Sequence, residues 1–251
     1  MSLLQVENIS KSYKQLQVLH QVSVDVRPGE RHVIIGPNGA GKTTLFHCIT
    51  GLTPIDDGKV IWEGEEIHRL YPHRLVHLGL SRTFQKNNLF GNLSVEENLH
   101  LAIAARKPYR WQLLKSLLAF PDLKEETESF LEQWEITALR GVLVNNLSYG
   151  EQRLLEVLLA LASHPRILLL DEPTSGMSPA ETAQTAAMIR RLPRSVSLLV
   201  IEHDMEVVFS IADRITVLHH GEVIAQGKPE EIRNDGMVRH IYFGGGAKIH
   251  A

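Results

Sequence analysis

The sequence predicts an α/β fold: a mixed sheet built around one glycine-rich turn and interrupted by a helical lobe. Three observations carry this. Gly36-Pro37-Asn38-Gly39-Ala40-Gly41-Lys42-Thr43-Thr44 joins an apolar run, residues 31–35, to a helix-compatible stretch, residues 43–50. Beyond residue 166, short apolar strands alternate with helical patterns. Between residues 87 and 162 the apolar residues instead recur at three- and four-residue steps, the helical period.

The elements follow in order. Strand-like runs at 3–9 and 18–26 open the chain, and Pro28-Gly29-Glu30 turns it into the run at 31–35. Asp56-Asp57-Gly58 reads as a turn before a strand at 59–62, and a short strand at 81–84 ends at Gln85. Helices are expected at 95–105, 124–134 and 150–162, with Pro108 and Pro121 as punctuation. Tyr109-Arg110-Trp111-Gln112-Leu113-Leu114-Lys115 reads as a packed helix. A buried strand at 166–170 is followed by a helix at 180–191, a strand at 197–201 and a helix at 205–212. Residues 215–218 and 222–226 form a hairpin across His219-His220-Gly221.

Composition sets outer limits. The 251 residues suffice for one large domain or two lobes sharing a core, and a hydrophobic share of 43% can fill it. A net charge of −3 argues against nucleic acid as a partner, since binders of its backbone show a basic face. The single cysteine, Cys48, leaves no internal disulfide and fits a reducing compartment. No basic-then-apolar secretory pattern opens the chain, and no run of eighteen apolar residues occurs. A membrane role is therefore expected to come through a partner.

The glycine-rich turn fits G-x-x-x-x-G-K-[ST] in a strand–loop–helix context. Glycines let the backbone point its N–H groups inward at phosphate oxygens, and the following helix adds the positive end of its dipole. Lys42 can reach the β- and γ-phosphates, and the Thr43 hydroxyl can ligate magnesium. The apolar run Ile167-Leu168-Leu169-Leu170 ends in Asp171-Glu172, which puts two acids at the carboxyl edge of the sheet. Asp171 is expected to hold magnesium and Glu172 to polarise the attacking water. Leu147-Ser148-Tyr149-Gly150-Glu151-Gln152-Arg153 opens a helix; taken alone it is an ordinary N-cap as readily as an anion-binding corner. His73 and His77 share an i, i+4 spacing but lack companions for a zinc site and read as surface residues.

Gly36 to Thr44, Gln85, Leu147 to Gln152, Ile167 to Glu172 and His203, in that order, resemble the nucleotide-binding subunits of ABC transporters. The resemblance covers nearly the whole chain. It implies an α/β P-loop NTPase (RecA-like) core, residues 1–86 and 163–251, with an N-terminal antiparallel β-subdomain. An ABC-type α-helical subdomain at 87–162 is inserted in it, the whole being one nucleotide-binding domain. It also implies a Mg2+-dependent ATPase working as a homodimer or as a heterodimer with a second ATPase subunit. Gly36, Pro37, Asn38, Gly39, Ala40, Gly41, Lys42, Thr43 and Thr44 of one subunit cradle ATP. Ser148 and Gly150 of the other, with Glu151 beside them, close on its γ-phosphate. By the same resemblance Gln85 senses magnesium and the attacking water, His203 contacts the γ-phosphate and Tyr13 stacks on adenine. Tyr149 stands where a second glycine is usual, Glu151 where glutamine is usual, and Ser178 where aspartate is usual.

The closest likeness is to the branched-chain (hydrophobic) amino-acid and urea uptake branch. It rests on Ser81-Arg82-Thr83-Phe84-Gln85, Leu147 to Arg153, Ile201-Glu202-His203-Asp204-Met205 and the ending Glu231 to Gly244. The expected partners are integral membrane permease subunits and a periplasmic or extracellular solute-binding protein. The expected place is the cytoplasmic face of the inner membrane, with residues 86–99 in the segment where the family docks a cytoplasmic permease helix. A lipid or lipopolysaccharide export ATPase is the alternative. A soluble ABC ATPase of DNA repair or translation is the alternative from another class, disfavoured because its inserted coiled coil or second domain is missing.

Overall fold

The computed structural model describes residues 2–83, 89–107 and 121–243. Strands β1 (Leu4–Tyr13) and β2 (Leu16–Val26) form an antiparallel pair. With β4 (Asp57–Trp62) and β5 (Glu65–Glu66) they make a sheet of order β2-β1-β4-β5. The second sheet contains β3 (Arg31–Ile35), β6 (Leu80–Arg82), β7 (Ile167–Asp171), β8 (Ser197–Ile201), β9 (Arg214–His219) and β10 (Glu222–Gly227). Its order is β10-β9-β3-β8-β7-β6, parallel except for the β9–β10 hairpin.

Every residue of β3, β7 and β8 is buried, as expected of parallel strands covered on both faces. Alternation along these strands splits the core in two. Val33, Ile35, Leu168, Leu170, Leu198 and Val200 face a helical layer. That layer holds α3 (Val95–Ala104), α4 (Pro121–Gln133), α5 (Tyr149–Ala162), α6 (Pro179–Arg191) and α7 (Met205–Ile211). Ile34, Ile167, Leu169, Leu199 and Ile201 face α1 (Lys42–Ile49) and the antiparallel sheet. Cys48 lies in this second core, its thiol pushed up to about 11 by burial.

The helical periods at 95–105, 124–134 and 150–162 are met by α3, α4 and α5 within a few residues at each end. Three short helices carried no readable period: α2 (Pro72–His77), α8 (Pro229–Asn234) and α9 (Gly236–Phe243). Two of them start at proline, which is preorganised for a first helical turn. His73 and His77 are exposed on α2, and no cluster of metal-ligating side chains occurs among the described residues. Gln85, Phe84 and residues 109–115 lie outside the described residues.

Candidate active site

Three parallel neighbours, β3, β8 and β7, place Ile34, Ile201 and Asp171 side by side. The chain therefore leaves all three strands at one sheet edge. The glycine-rich turn follows Ile35, Glu202-His203 follows Ile201, and Glu172 follows Asp171. Topology alone gathers residues far apart in sequence.

The turn is shaped by what it must avoid. A Cβ on Gly36 would collide with the Leu218 carbonyl of β9. Gly41 is left-handed at φ 102, and a Cβ there would lie 2.8 Å from Leu19 Cδ2, so only glycine fits. The β9–β10 turn braces the loop from outside, with the Gly221 amide donating to the Ala40 carbonyl at 3.0 Å. Lys42 is buried, and its ammonium donates to the carbonyls of Gly36 at 2.6 Å and Pro37 at 3.1 Å, inside the curve of the loop. Burial pushes this lysine below its ordinary range, while Glu172 and Asp171 pull it back up. Gly41 caps α1 with no side-chain hydrogen bond, and no acid lies in the first turn. The first amides of α1 thus have no carbonyl acceptor within the helix and no side-chain cap. A positive helix end beside a buried ammonium is a site for phosphate.

Asp171 is 3% exposed. Its Oδ2 accepts from Arg82 Nη2 at 2.8 Å, whereas its Oδ1 is buried without a hydrogen-bond partner. A buried, unpaired carboxylate oxygen at the end of a strand fits a hard cation or its water shell. Arg82 stands in the stretch Ser81-Arg82-Thr83-Phe84-Gln85 that carries the likeness, but nothing in the sequence tied it to Asp171. Burial lowers its pKa and Asp171 opposes that. The guanidinium also lies 5.6 Å from the Phe46 ring centroid and donates to Thr50 Oγ1 at 3.3 Å, so it is locked in place. Glu172 has φ 50, a left-handed backbone unusual for this residue, and its amide donates to the Ile201 carbonyl at 2.9 Å. The His203 imidazole is exposed at the same edge.

Tyr13 ends β1, 47% exposed, with Lys11 Nζ 5.7 Å from its ring centroid. Ser148, Gly150 and Glu151 open α5 against the start of α6. Ser148 is an N-cap in a capping box: its hydroxyl accepts from the Glu151 amide at 3.2 Å, and Glu151 Oε2 accepts from the Ser148 amide at 2.7 Å. Gly150 is buried against the Glu181 side chain. Ser178 caps α6 in the same manner with Glu181, so its hydroxyl is engaged within its own chain.

A glycine-rich turn between strand and helix, with an acid-tipped strand beside it, is the build of a P-loop nucleoside triphosphatase. A family model described as ABC transporter matches residues 19–175. A lipopolysaccharide export ATP-binding protein, LptB of Haemophilus influenzae, is 34% identical over 97% of this chain and 98% of its own length. BraF of Pseudomonas aeruginosa, a high-affinity branched-chain amino acid transport ATP-binding protein, is 36% identical over 96% of this chain and 98% of its own. The crystal structure of an ATP-binding cassette of an ABC transporter in its ADP conformation superposes with a TM-score of 0.84 at 32% identity, covering 97% of this chain and 99% of that one. The chain belongs to the ABC transporter family as an ATP-binding subunit. Membership makes it an ATPase that binds ATP and works with membrane permease components, peripheral to the membrane. No helix among the described residues is long and apolar enough to cross a bilayer.

Proposed function

We infer that this chain is the Mg2+-dependent ATPase subunit of an importer for branched-chain amino acids or related amides such as urea. One observation carries the chemistry: the uncapped start of α1, with Lys42 Nζ inside the loop, opens at the sheet edge that also bears Asp171 and Glu172.

On this reading the loop and first-turn amides, from Gly36 to Thr44, bind the phosphates. Lys42 exchanges its two loop carbonyls for β- and γ-phosphate oxygens. Thr43 and Asp171 would hold Mg2+, with Gln85 beside them; when bound, the cation offsets charge on the phosphate oxygens. Arg82 keeps the Asp171 carboxyl aimed. Glu172 accepts a proton from the attacking water, and His203 holds the γ-phosphate. Tyr13 stacks on adenine, and Ser148, Gly150 and Glu151 of a second ATPase subunit, identical or related, close the site. Residues 87–162 act as the helical subdomain that carries this second contact; 1–86 and 163–251 act as the core.

The partners follow from the same reading: a membrane permease and a periplasmic or extracellular solute-binding protein, with the chain at the cytoplasmic face. Residues 86–99 would form the segment that docks a cytoplasmic permease helix. Likeness to BraF supports amino-acid import, and likeness to LptB supports lipopolysaccharide export as the second reading.

The test is Glu172→Gln. Turnover falls by roughly 10²–10⁴-fold, the usual worth of a general base, while ATP is still bound and the protein elutes as a dimer. Phosphate release at the parental rate overturns the role of Glu172. Reconstitution with permeases encoded beside this chain, followed by solute flux, separates import from export.

A further inference from the structure

Glu202 directly follows β8 and precedes His203, and it is fully buried, 0% exposed. A carboxylate in such a place needs donors on both oxygens. Glu202 finds them in two different loops. Its Oε1 accepts from the Thr174 amide at 3.1 Å and from the Thr174 hydroxyl. Its Oε2 accepts from the His203 amide at 2.9 Å and the Asp204 amide at 3.4 Å. Thr174 sits in the turn that begins at Glu172, where the Ser175 amide donates to the Glu172 carbonyl at 3.1 Å. The pairing of β7 with β8 reaches Asp171 and Ile201. Beyond that point the Glu202 side chain continues the link between the two chain segments. The His203 ring is not what it holds, because Nδ1 lies 3.9 Å from Oε2, too far for a hydrogen bond. Glu202 grips backbone.

We propose that Glu202 is a positioning residue for ATP hydrolysis, whose carboxylate fixes the Glu172 turn and the His203 loop at one separation so that both side chains address the same γ-phosphate. The proposal rests on the reading of Glu172 and His203 given above. Its chemistry is specific. All four partners are donors, so all four need an acceptor. Glutamine serves one loop with its oxygen and turns its own N–H groups against the amides of the other. Aspartate is one methylene short of the span.

Two variants test it in the full chain, with Mg2+ and ATP. Glu202→Gln lowers kcat by ~10–100-fold, the usual effect of misplacing a catalytic group by about 1 Å. Its ATP affinity by calorimetry stays at the parental value, because Lys42 and the phosphate loop are untouched. Thr174→Val removes one of the four donors and lowers kcat by about 3-fold; Thr174→Ser, which keeps the hydroxyl, restores it. Should Glu202→Gln fail to fold, the valine and serine pair decides alone. Parental kcat in Glu202→Gln overturns the proposal. So does a loss of ATP affinity matching the loss of kcat, or a Thr174→Ser variant as slow as Thr174→Val. If Glu172→Gln hydrolyses normally, the reading of the site has failed; if it is dead while Glu202→Gln is parental, only the positioning role has failed.

Discussion

Helices α1 and α5 start in opposite ways, although both starts are read as contacts for ATP phosphate. α1 opens at Gly41 without a side-chain cap. α5 opens at Ser148 inside a reciprocal capping box with Glu151. An end whose amides have no acceptor in the chain is completed by a guest. An end whose amides are already served engages a guest only by sharing or exchanging partners. On the proposed reading the first is a resident phosphate site, with a buried ammonium to match. The second is conditional: the Ser148 hydroxyl, which accepts within its own chain, still has a proton to donate when a second subunit's nucleotide arrives.

The largest effect is expected at the conditional end. Ser148→Arg leaves ATP binding to the monomer intact and abolishes ATP-driven dimerisation in size-exclusion chromatography; persistent dimers would break the contrast. Lys42→Ala comes next. Losing a charged donor facing phosphate costs about 1.5–3 kcal/mol, or ~10–100-fold in ATP affinity by calorimetry; unchanged affinity would show that α1 does not hold the phosphates.

Acid reaches the resident end through its supporting strand. His32 on β3 is buried, with Nδ1 2.9 Å from the Asp25 carbonyl and Nε2 2.7 Å from Thr216 Oγ1. Gln226 Nε2 donates to that same hydroxyl at 2.7 Å; the Asp25 carbonyl can only accept, so Nδ1 carries a proton and a neutral ring accepts the Thr216 hydroxyl at Nε2. Burial, with Arg214 nearby, pushes its pKa down from 6.5 to about 4. The unfolded chain therefore binds the proton first. Stability is complete above pH 6.5 and declines as the pH falls toward 4, by about 3 kcal/mol in all. Urea unfolding of His32→Gln should show a flatter slope over this window than the parent. The smallest effect is Glu151→Ala, which opens the α5 cap and lowers stability by about 1 kcal/mol in thermal unfolding; a change near zero would mean the box adds nothing to that end.

The layers of the fold were legible because buried parallel strands carry short apolar runs, residues 33–35 and 167–170 among them. The phosphate loop was legible because Lys42 and the glycines at 36 and 41 each answer a local demand. Arg82 and Glu202 stood inside quoted stretches, but their contacts were not legible. Each acts through a partner distant in sequence, Asp171 or Thr174, and a single charged residue at a strand end carries no period. Ser148 was legible only as two alternatives, cap or anion corner. The structure has the cap formed, with the Ser-x-x-Glu spacing as its sign. Ser178 shows the same spacing and turns out to cap α6.

Glu172 holds its left-handed backbone at the end of an otherwise regular strand. Glycine would adopt that conformation without penalty. Sorting variants of this chain for heat resistance alone would thus favour glycine there, trading the carboxylate proposed to activate water for a calmer chain. Thermostabilised versions should accordingly be screened by the phosphate they liberate, since melting temperature would reward a disarmed enzyme.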